Sequence, residues 1–216
     1  MGKMLKTETT VASKVQVQPI KADSRERIGI MGGTFNPPHL GHLIMAKQVQ
    51  EQLDLDKVLF MPDNLPPHID QKAAIAAKYR VHMVEMSIAS EPKFQLEDIE
   101  IRRGGVSYTY DTVQELKKLY PNADFYFIIG GDMVEYLPKW YKVDELVKMI
   151  QFVSVERKGY AKKSDYPLIW VDVPRIDISS SMIREKVQQG RSIKYLVTSE
   201  VENYIKQEGL YHDTNS

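Results

Sequence analysis

Short apolar runs alternate along this chain with stretches whose apolar residues recur every third or fourth position. Residues 27–31 (RIGIM) form a run with β-branched Ile28 and Ile30 that stops at Gly32-Gly33, and from Leu40 onward Leu43, Ala46, Val49 and Leu53 follow a helical period. The pattern predicts a strand over 27–31, a tight turn and a helix over 40–53. Residues 57–61 (KVLFM) read as a second buried strand, ended by Pro62. A helix over 73–89, a short polar-flanked strand over 94–101 and a helix over 109–119 follow, the last with Asp111 in its first turn, where a carboxylate suits the helix dipole. Residues 124–129 (DFYFII) predict a central strand that ends, like the first, in two glycines. Short helical pieces over 132–137 and 143–149 enclose a Pro138-Lys139-Trp140-Tyr141 loop, strands are expected over 151–156 and 168–173, and a helix over 180–189 stops at Gly190. The closing helix, over 200–207, follows Ser199 with Glu202 three positions on, a capping-box spacing. Strands alternating with helices predict an α/β fold: a doubly wound, mostly parallel sheet flanked by helices, with ligands bound beyond the carboxyl ends of its strands. Both glycine pairs fall at such ends.

At 216 residues and 43% hydrophobic content the chain can bury a sizeable core, and one domain over 27–211 is the reading. Residues 1–26, rich in Thr, Lys, Gln and Ser, are expected to be a mobile N-terminal extension, or else an added edge strand, and 212–216 a C-terminal tail. Lys plus Arg and Asp plus Glu are equal at 29 each, so no global field gathers nucleic acid or coats an anionic membrane. Any polyanion must be met by local charge. The chain has no cysteine, which excludes disulfides and thiolate chemistry and fits a reducing compartment. No apolar run approaches the roughly 20 residues that span a bilayer, and the N-terminus carries no apolar signal region, so a soluble cytoplasmic protein is expected.

The dinucleotide fingerprint G-x-G-x-x-G and the phosphate loop G-x-x-x-x-G-K-[ST] are both absent, which removes the usual support for hydride transfer and Walker-type hydrolysis. What remains suits a triphosphate. Gly32 and Gly33 at a strand end let backbone amides near Thr34 and Phe35 approach an anion, and the N-terminus of the next helix adds partial positive charge. His39 and His42 are three apart, so they project from one helix face, and Gly41 between them adds no side chain to crowd what they touch. A free imidazole has a pKa of about 6.5, and a nearby polyphosphate favours its protonated form, so either histidine is a candidate cationic donor. Late in the chain, Ser179 and Ser180 can cap a helix whose N–H groups face outward, with Arg184 about one turn in: an anion site. The loop PDNLPPHIDQK (62–72) is long and Pro-rich, which makes it a candidate lid or a stiff surface loop.

GGTFNPPHLGH (32–42) and ISSSMIR (178–184), together with PPH (66–68), SYTYDT (107–112), GGD (130–132) and KWY (139–141), resemble the bacterial nicotinate-nucleotide adenylyltransferase family of the nucleotidyltransferase superfamily with H-x-G-H. The resemblance runs from about residue 27 to about residue 211. It implies a Rossmann-like fold and transfer of the adenylyl group of ATP to nicotinate mononucleotide, giving deamido-NAD and pyrophosphate. No nucleophilic side chain is needed, because the acceptor phosphate attacks directly and catalysis is positioning plus charge stabilisation. By resemblance His42, His39 and Arg184 are catalytic. ATP falls to Gly32, Gly33, Thr34, Phe35, His39, His42, Gly130, Asp132, Ile178, Ser179, Ser180 and Arg184, with Asp132 on a ribose hydroxyl. Nicotinate mononucleotide falls to Asn36, His68, Thr109, Trp140 and Tyr141, with Trp140 as the stacking platform. Mg²⁺ is expected to accompany ATP, bridging phosphate oxygens and keeping several waters, with no protein-only metal site. A homo-oligomer is compatible with the family. The family loop often reads PPHK, whereas Ile69 follows His68 here, so Lys72 or Arg80 is the candidate to replace that charge. Competing readings are pantetheine-phosphate adenylyltransferase, disfavoured by His39 where that family usually has Thr, a nicotinamide-mononucleotide adenylyltransferase, and a silent nucleotide-binding regulator, disfavoured by intact His42 and Arg184.

Overall fold

The computed structural model describes residues 25–67, 74–156 and 164–212. Strand β1 (Glu26–Gly33) leads through a tight turn into helix α1 (Leu40–Gln52), then β2 (Lys57–Pro62), α2 (Ala77–Ile88) and β3 (Phe94–Leu96). Helices α3 (Ile99–Arg103) and α4 (Thr109–Leu119) precede β4 (Ala123–Gly130), which runs into the one-turn helix α5 (Gly131–Val134), a 3₁₀ turn at Leu137–Lys139 and α6 (Val143–Met149). Strands β5 (Gln151–Glu156) and β6 (Leu168–Asp172) and helices α7 (Ser180–Gln188) and α8 (Ser199–Gln207) complete the described chain.

Among the described residues the five strand pairings of the sheet are all parallel, in the order β3-β2-β1-β4-β5-β6. The chain winds outward from β1 to β3, then returns to pair β4 with the other side of β1, so the direction of winding reverses between these two strands. That reversal opens a crevice beyond their carboxyl ends, where the connections diverge to opposite faces. Met31 pairs with Ile128, which brings Gly32-Gly33 and Gly130-Gly131 to the same edge of the sheet. The two glycine pairs flank the switch point.

Period-two alternation sends Ile28, Ile30, Phe125 and Phe127 to one face, packed with Leu116 and Leu146, and Met31, Tyr126 and Ile128 to the other, packed with Val49, Phe60 and Val84. A separate apolar cluster joins α7, α8 and the segment after α8 to Met83 of α2, using Ile183, Val187, Val201, Ile205, Leu210 and Tyr211. This third cluster holds the C-terminal part of the chain against the turn that follows β1. None of the helices among the described residues is long and apolar enough to cross a membrane.

Several boundaries differ from expectation for identifiable reasons. The strand expected over 94–101 stops at Leu96, because the Glu97 carboxylate accepts the Ile99 N–H at 3.1 Å and starts α3. The helix expected from 73 begins at Ala77, residues 68–73 lying outside the described part. Thr198, not Ser199, caps α8, its Oγ1 accepting the Val201 N–H at 3.4 Å. The helical piece expected over 132–137 divides into α5 and the 3₁₀ turn, Pro138 lying within the latter. Strand β1 begins one residue before the expected boundary, and Arg25 pairs with Asp124 at 2.9 Å. The expected extension falls almost wholly on residues 1–24, outside the described residues.

Candidate active site

The turn after β1 is held from beneath. The Gly33 carbonyl accepts the Asp63 N–H at 3.1 Å, and the Thr34 hydroxyl donates to the Asp63 carboxylate at 2.8 Å. Phe35 adopts φ 50°, a left-handed conformation that bulky residues rarely take, and its ring is buried against Phe60 and edge-on to His42, with centroids 5.9 and 5.0 Å apart. The turn therefore has its aromatic residue in the core, leaving its backbone as the part that a ligand can meet.

His39 is the N-cap of α1, and its own N–H donates to His42 Nδ1 at 3.2 Å. That bond assigns the tautomer of a neutral His42: Nδ1 is the acceptor, so the proton sits on Nε2. The two imidazoles stack at 3.7 Å with planes 25° apart. A Cβ at position 41 would lie 3.0 Å from His39 Nδ1, so a side chain there would press on the His39 ring and displace it by a few tenths of an ångström. Burial pushes His39 down to about 4, and burial together with the neighbouring His39 pushes His42 well below the ordinary histidine value. These surroundings by themselves favour neutral rings, in which His42 carries its proton on Nε2.

Helix α7 closes over the same turn. The Ser179 hydroxyl accepts the Met182 N–H at 3.2 Å, as the cap spacing predicts. The Ser180 hydroxyl donates to the Pro37 carbonyl at 2.7 Å, and Arg184 donates to the Asn36 carbonyl at 2.8 Å and to Ser181 Oγ at 3.2 Å. These bonds use two of the five N–H groups of Arg184. Between α7 and the turn lies a recess of about 470 Å³ with a mixed lining, whose polar side is formed by Thr34, Asn36, His42, Arg80, Ser180 and Arg184.

A second, more apolar cleft of about 570 Å³ extends from the carboxyl ends of β1 and β4, lined by Gly32, Gly33, Gly130, Phe127, Thr109, Trp140 and Tyr141 among others. Thr34 and His42 border both spaces. The Trp140 ring stands edge-on to Phe127 and Phe152, centroids 5.7 Å away in each case, and its indole N–H is buried without a partner among the described residues. Tyr141 is 44% exposed and packs on Tyr108 at 4.8 Å. The Thr109 end of α4 is tied to the segment after β2: the Asn64 N–H donates to Ser107 Oγ, and the Ser107 N–H to the Leu65 carbonyl, each at 2.9 Å.

Of the residues expected in the site, Gly32, Gly33, Thr34, Phe35, His42, Gly130, Ser180, Arg184, Thr109, Trp140 and Tyr141 line one space or both. Asn36, expected with the nicotinate nucleotide, lines the polar recess instead, because the turn carries it under α7. The Ile178 side chain packs in the C-terminal apolar cluster and Ser179 serves as the cap, so any ligand contact by these two is through the loop they shape. His68 and Lys72 lie outside the described residues, as does the side chain of Asp132, whose backbone sits in α5.

Arg80 does not stand free to replace the missing loop charge. It is 2% exposed and donates to the Thr34, Asp63 and Ile75 carbonyls at 2.7, 2.8 and 3.2 Å, besides pairing with the Asp63 carboxylate at 3.3 Å. A guanidinium committed in this way braces the turn. Asp63 and Glu100, both unanticipated, also border the apolar cleft. Burial raises Glu100 above the usual carboxylate range despite the Thr112 hydroxyl 2.7 Å away, and burial likewise raises Asp63 against the pull of Thr34 and Arg80. A signal for Arg80 existed: it shares the buried face of α2 with Met83, Val84 and Ser87, where a charge must have partners. Among the described residues no three His, Cys, Asp or Glu side chains are grouped to hold a metal ion.

The family described as cytidylyltransferase-like matches residues 30–186, a span that holds the glycine-lined switch point, the stacked histidine pair and the serine-capped helix bearing Arg184. A protein of Lactiplantibacillus plantarum named "Probable nicotinate-nucleotide adenylyltransferase" is 53% identical over 211 residues, covering 98% of this chain and 100% of that one. One of the same name from Enterococcus faecalis is 52% identical, covering 92% and 91%. The chain belongs to the nicotinate-nucleotide adenylyltransferase family. The structure of Plasmodium falciparum nicotinic acid mononucleotide adenylyltransferase complexed with NaAD superimposes with a TM-score of 0.73 at 22% identity, covering 86% of this chain and 97% of that one, a likeness of fold.

Proposed function

We propose that this protein transfers the adenylyl group of ATP to nicotinate mononucleotide, forming deamido-NAD and releasing pyrophosphate. The observation that carries the proposal is the meeting of two unlike spaces at Thr34 and His42, one apolar and aromatic, the other more polar and bordered by Arg184. A phosphate oxygen of the mononucleotide attacks the α-phosphorus; that P–O bond forms as the bond from the α-phosphorus to the bridging oxygen breaks, and pyrophosphate leaves with the bonding pair. His42 Nε2–H donates to the α-phosphate and bridging oxygen as charge builds there, with His39 in support. Preorganised donors of this kind need no rearrangement when charge develops.

Arg184 and Ser180 take the β and γ phosphates. For Ser180 to donate, its hydroxyl must turn away from the Pro37 carbonyl, whereas Arg184 keeps N–H groups to spare. The amides from Gly33 to Phe35 cradle phosphate oxygens, while Gly130 and Asp132 lie on the ribose side. Trp140 stacks on the pyridine ring, and the Thr109 hydroxyl with backbone N–H groups near Tyr141 receives the carboxylate. A divalent cation accompanying ATP would be held by the phosphates themselves and would share their charge. The donor set here suits phosphate oxygens rather than a protein metal cage.

Pyrophosphate release from ATP and Mg²⁺, with nicotinate mononucleotide, nicotinamide mononucleotide or phosphopantetheine offered separately, tests the reading. Release is expected with the first and weakly, if at all, with the others. Equal kcat/KM for the two pyridine nucleotides would sink the nicotinate assignment while leaving adenylyl transfer intact.

A further inference from the structure

The last described turn of the chain reaches back to the first. Beyond α8, Gly209 turns the backbone at φ 61°, and Tyr211 adopts φ 65°, a left-handed conformation that aromatic residues seldom take. The Tyr211 side chain is driven into the protein, 2% exposed, among Met83, Ile183, Val201 and Ile205. A phenyl ring would satisfy that packing. The hydroxyl does something further: it donates to Asn36 Oδ1 at 2.8 Å, across 175 positions of sequence. The carbonyl of the same Asn36 accepts the Arg184 guanidinium at 2.8 Å, and the next carbonyl, of Pro37, accepts Ser180. Burial keeps the phenol protonated far above neutrality, so it is a permanent donor.

We propose that Tyr211 is a positioning residue for adenylyl transfer: its hydroxyl fixes the Asn36 turn, and through it the direction in which Arg184 faces the triphosphate recess. This rests on the assignment of Arg184 to the ATP phosphates. A misplaced guanidinium weakens contacts made in both ground and transition states, so the effect belongs mainly in the KM for ATP. The acceptor nucleotide, bound in the apolar cleft, is largely indifferent.

Tyr211→Phe removes one oxygen and keeps the ring. We expect the KM for ATP to rise roughly three- to twelvefold, within the range for loss of one neutral hydrogen bond. The KM for nicotinate mononucleotide should change less than about twofold, the scale of experimental scatter in additivity tests. In an Arg184→Ala background the same substitution should have almost no further effect, since groups acting in series are non-additive. Leu210→Ala, which loosens the same packing without touching the hydroxyl, is the control and should lower the melting temperature while leaving the KM for ATP in place. The proposal is overturned by an unchanged ATP KM in Tyr211→Phe, by full additivity with Arg184→Ala, by an equal rise in Leu210→Ala, or by a Tyr211→Phe chain that fails to fold. Should Arg184→Ala itself leave pyrophosphate release unaltered, the phosphate assignment fails first. An impaired Arg184→Ala beside a normal Tyr211→Phe removes the positioning role alone.

Discussion

The apolar cleft and the polar recess share a wall at Thr34 and His42, yet they are made in different ways. The cleft follows from the sheet: β1 and β4 end side by side, glycines keep their ends open, and the Trp140 ring is braced by Phe127 and Phe152. The recess depends on side chains joined over long distances, with Ser180, Arg184 and Tyr211 all bonded to the Asn36-Pro37 backbone or side chain and Arg80 bracing Thr34 from below. A flat aromatic ring needs only a dry slot of the right width, which strand ends provide. A triphosphate needs donors aimed at several oxygens, and aim requires bracing from more than one element.

The largest expected effect comes from the shared wall. His42→Ala should fold yet lose roughly a hundred- to a thousandfold in kcat, the ~2.7–4 kcal/mol typical of removing one preorganised donor. Turnover within about threefold of the parent, less than half the ~1.36 kcal/mol of a tenfold change, would show that the junction is not where charge develops.

Next is the recess alone. Arg184→Ala removes charged donors worth ~1.5–3 kcal/mol and should weaken ATP by roughly ten- to a hundredfold while sparing the acceptor nucleotide. Initial-rate kinetics with each substrate varied separately would test the division; equal losses for both would merge the two spaces into one.

The neutrality of the histidine pair has a consequence for stability. His39 is held at about 4 in the fold against about 6.5 when unfolded, so the unfolded chain takes up a proton that the folded one refuses. The stability due to this difference is fully present above about pH 6.5 and is lost as pH falls toward 4, the loss reaching about 2 kcal/mol by pH 5. Asp63 and Glu100, raised by burial, act in the opposite sense, so the comparison must be between parent and His39→Asn. Urea unfolding at pH 7 and pH 5 should show a smaller loss in the variant; parallel losses would contradict the burial account.

On the cleft side, Trp140→Ala should weaken the pyridine nucleotides by ~1–3 kcal/mol, the range for base stacking on an aromatic side chain, with little change for ATP. Some loss of melting temperature should accompany it, because the ring also packs on Phe127 and Phe152. The smallest effect is at Thr109→Val, where one lost donor of ~0.5–1.5 kcal/mol should narrow, without abolishing, the preference for nicotinate over nicotinamide. A ratio of kcat/KM values unmoved by this change would leave discrimination to backbone groups.

Most of the sheet and both histidines were legible in the sequence because their signals are local. An apolar run that stops at two glycines is a buried strand with an open end, and the His39-Leu40-Gly41-His42 spacing is a property of one helical turn. The segment over 94–101 was misread because its apolar spacing suits a strand, while a single contact from Glu97 to the Ile99 N–H turns it into a helix. The Arg80 position was visible as a candidate charge, but its role was not, since its partners Thr34 and Asp63 lie 46 and 17 positions away.

By itself, then, the sequence determined the succession of the strands, the mostly parallel winding and the family to which the chain belongs, since periodicity and contiguous motifs express backbone preferences within a few residues. Only the tertiary structure decided that Asn36 belongs to the polar recess, that Arg80 is a brace and that the Tyr211 hydroxyl meets Asn36. Those assignments depend on which buried donors find which acceptors once the sheet has closed, and no local pattern records a pairing across 175 positions.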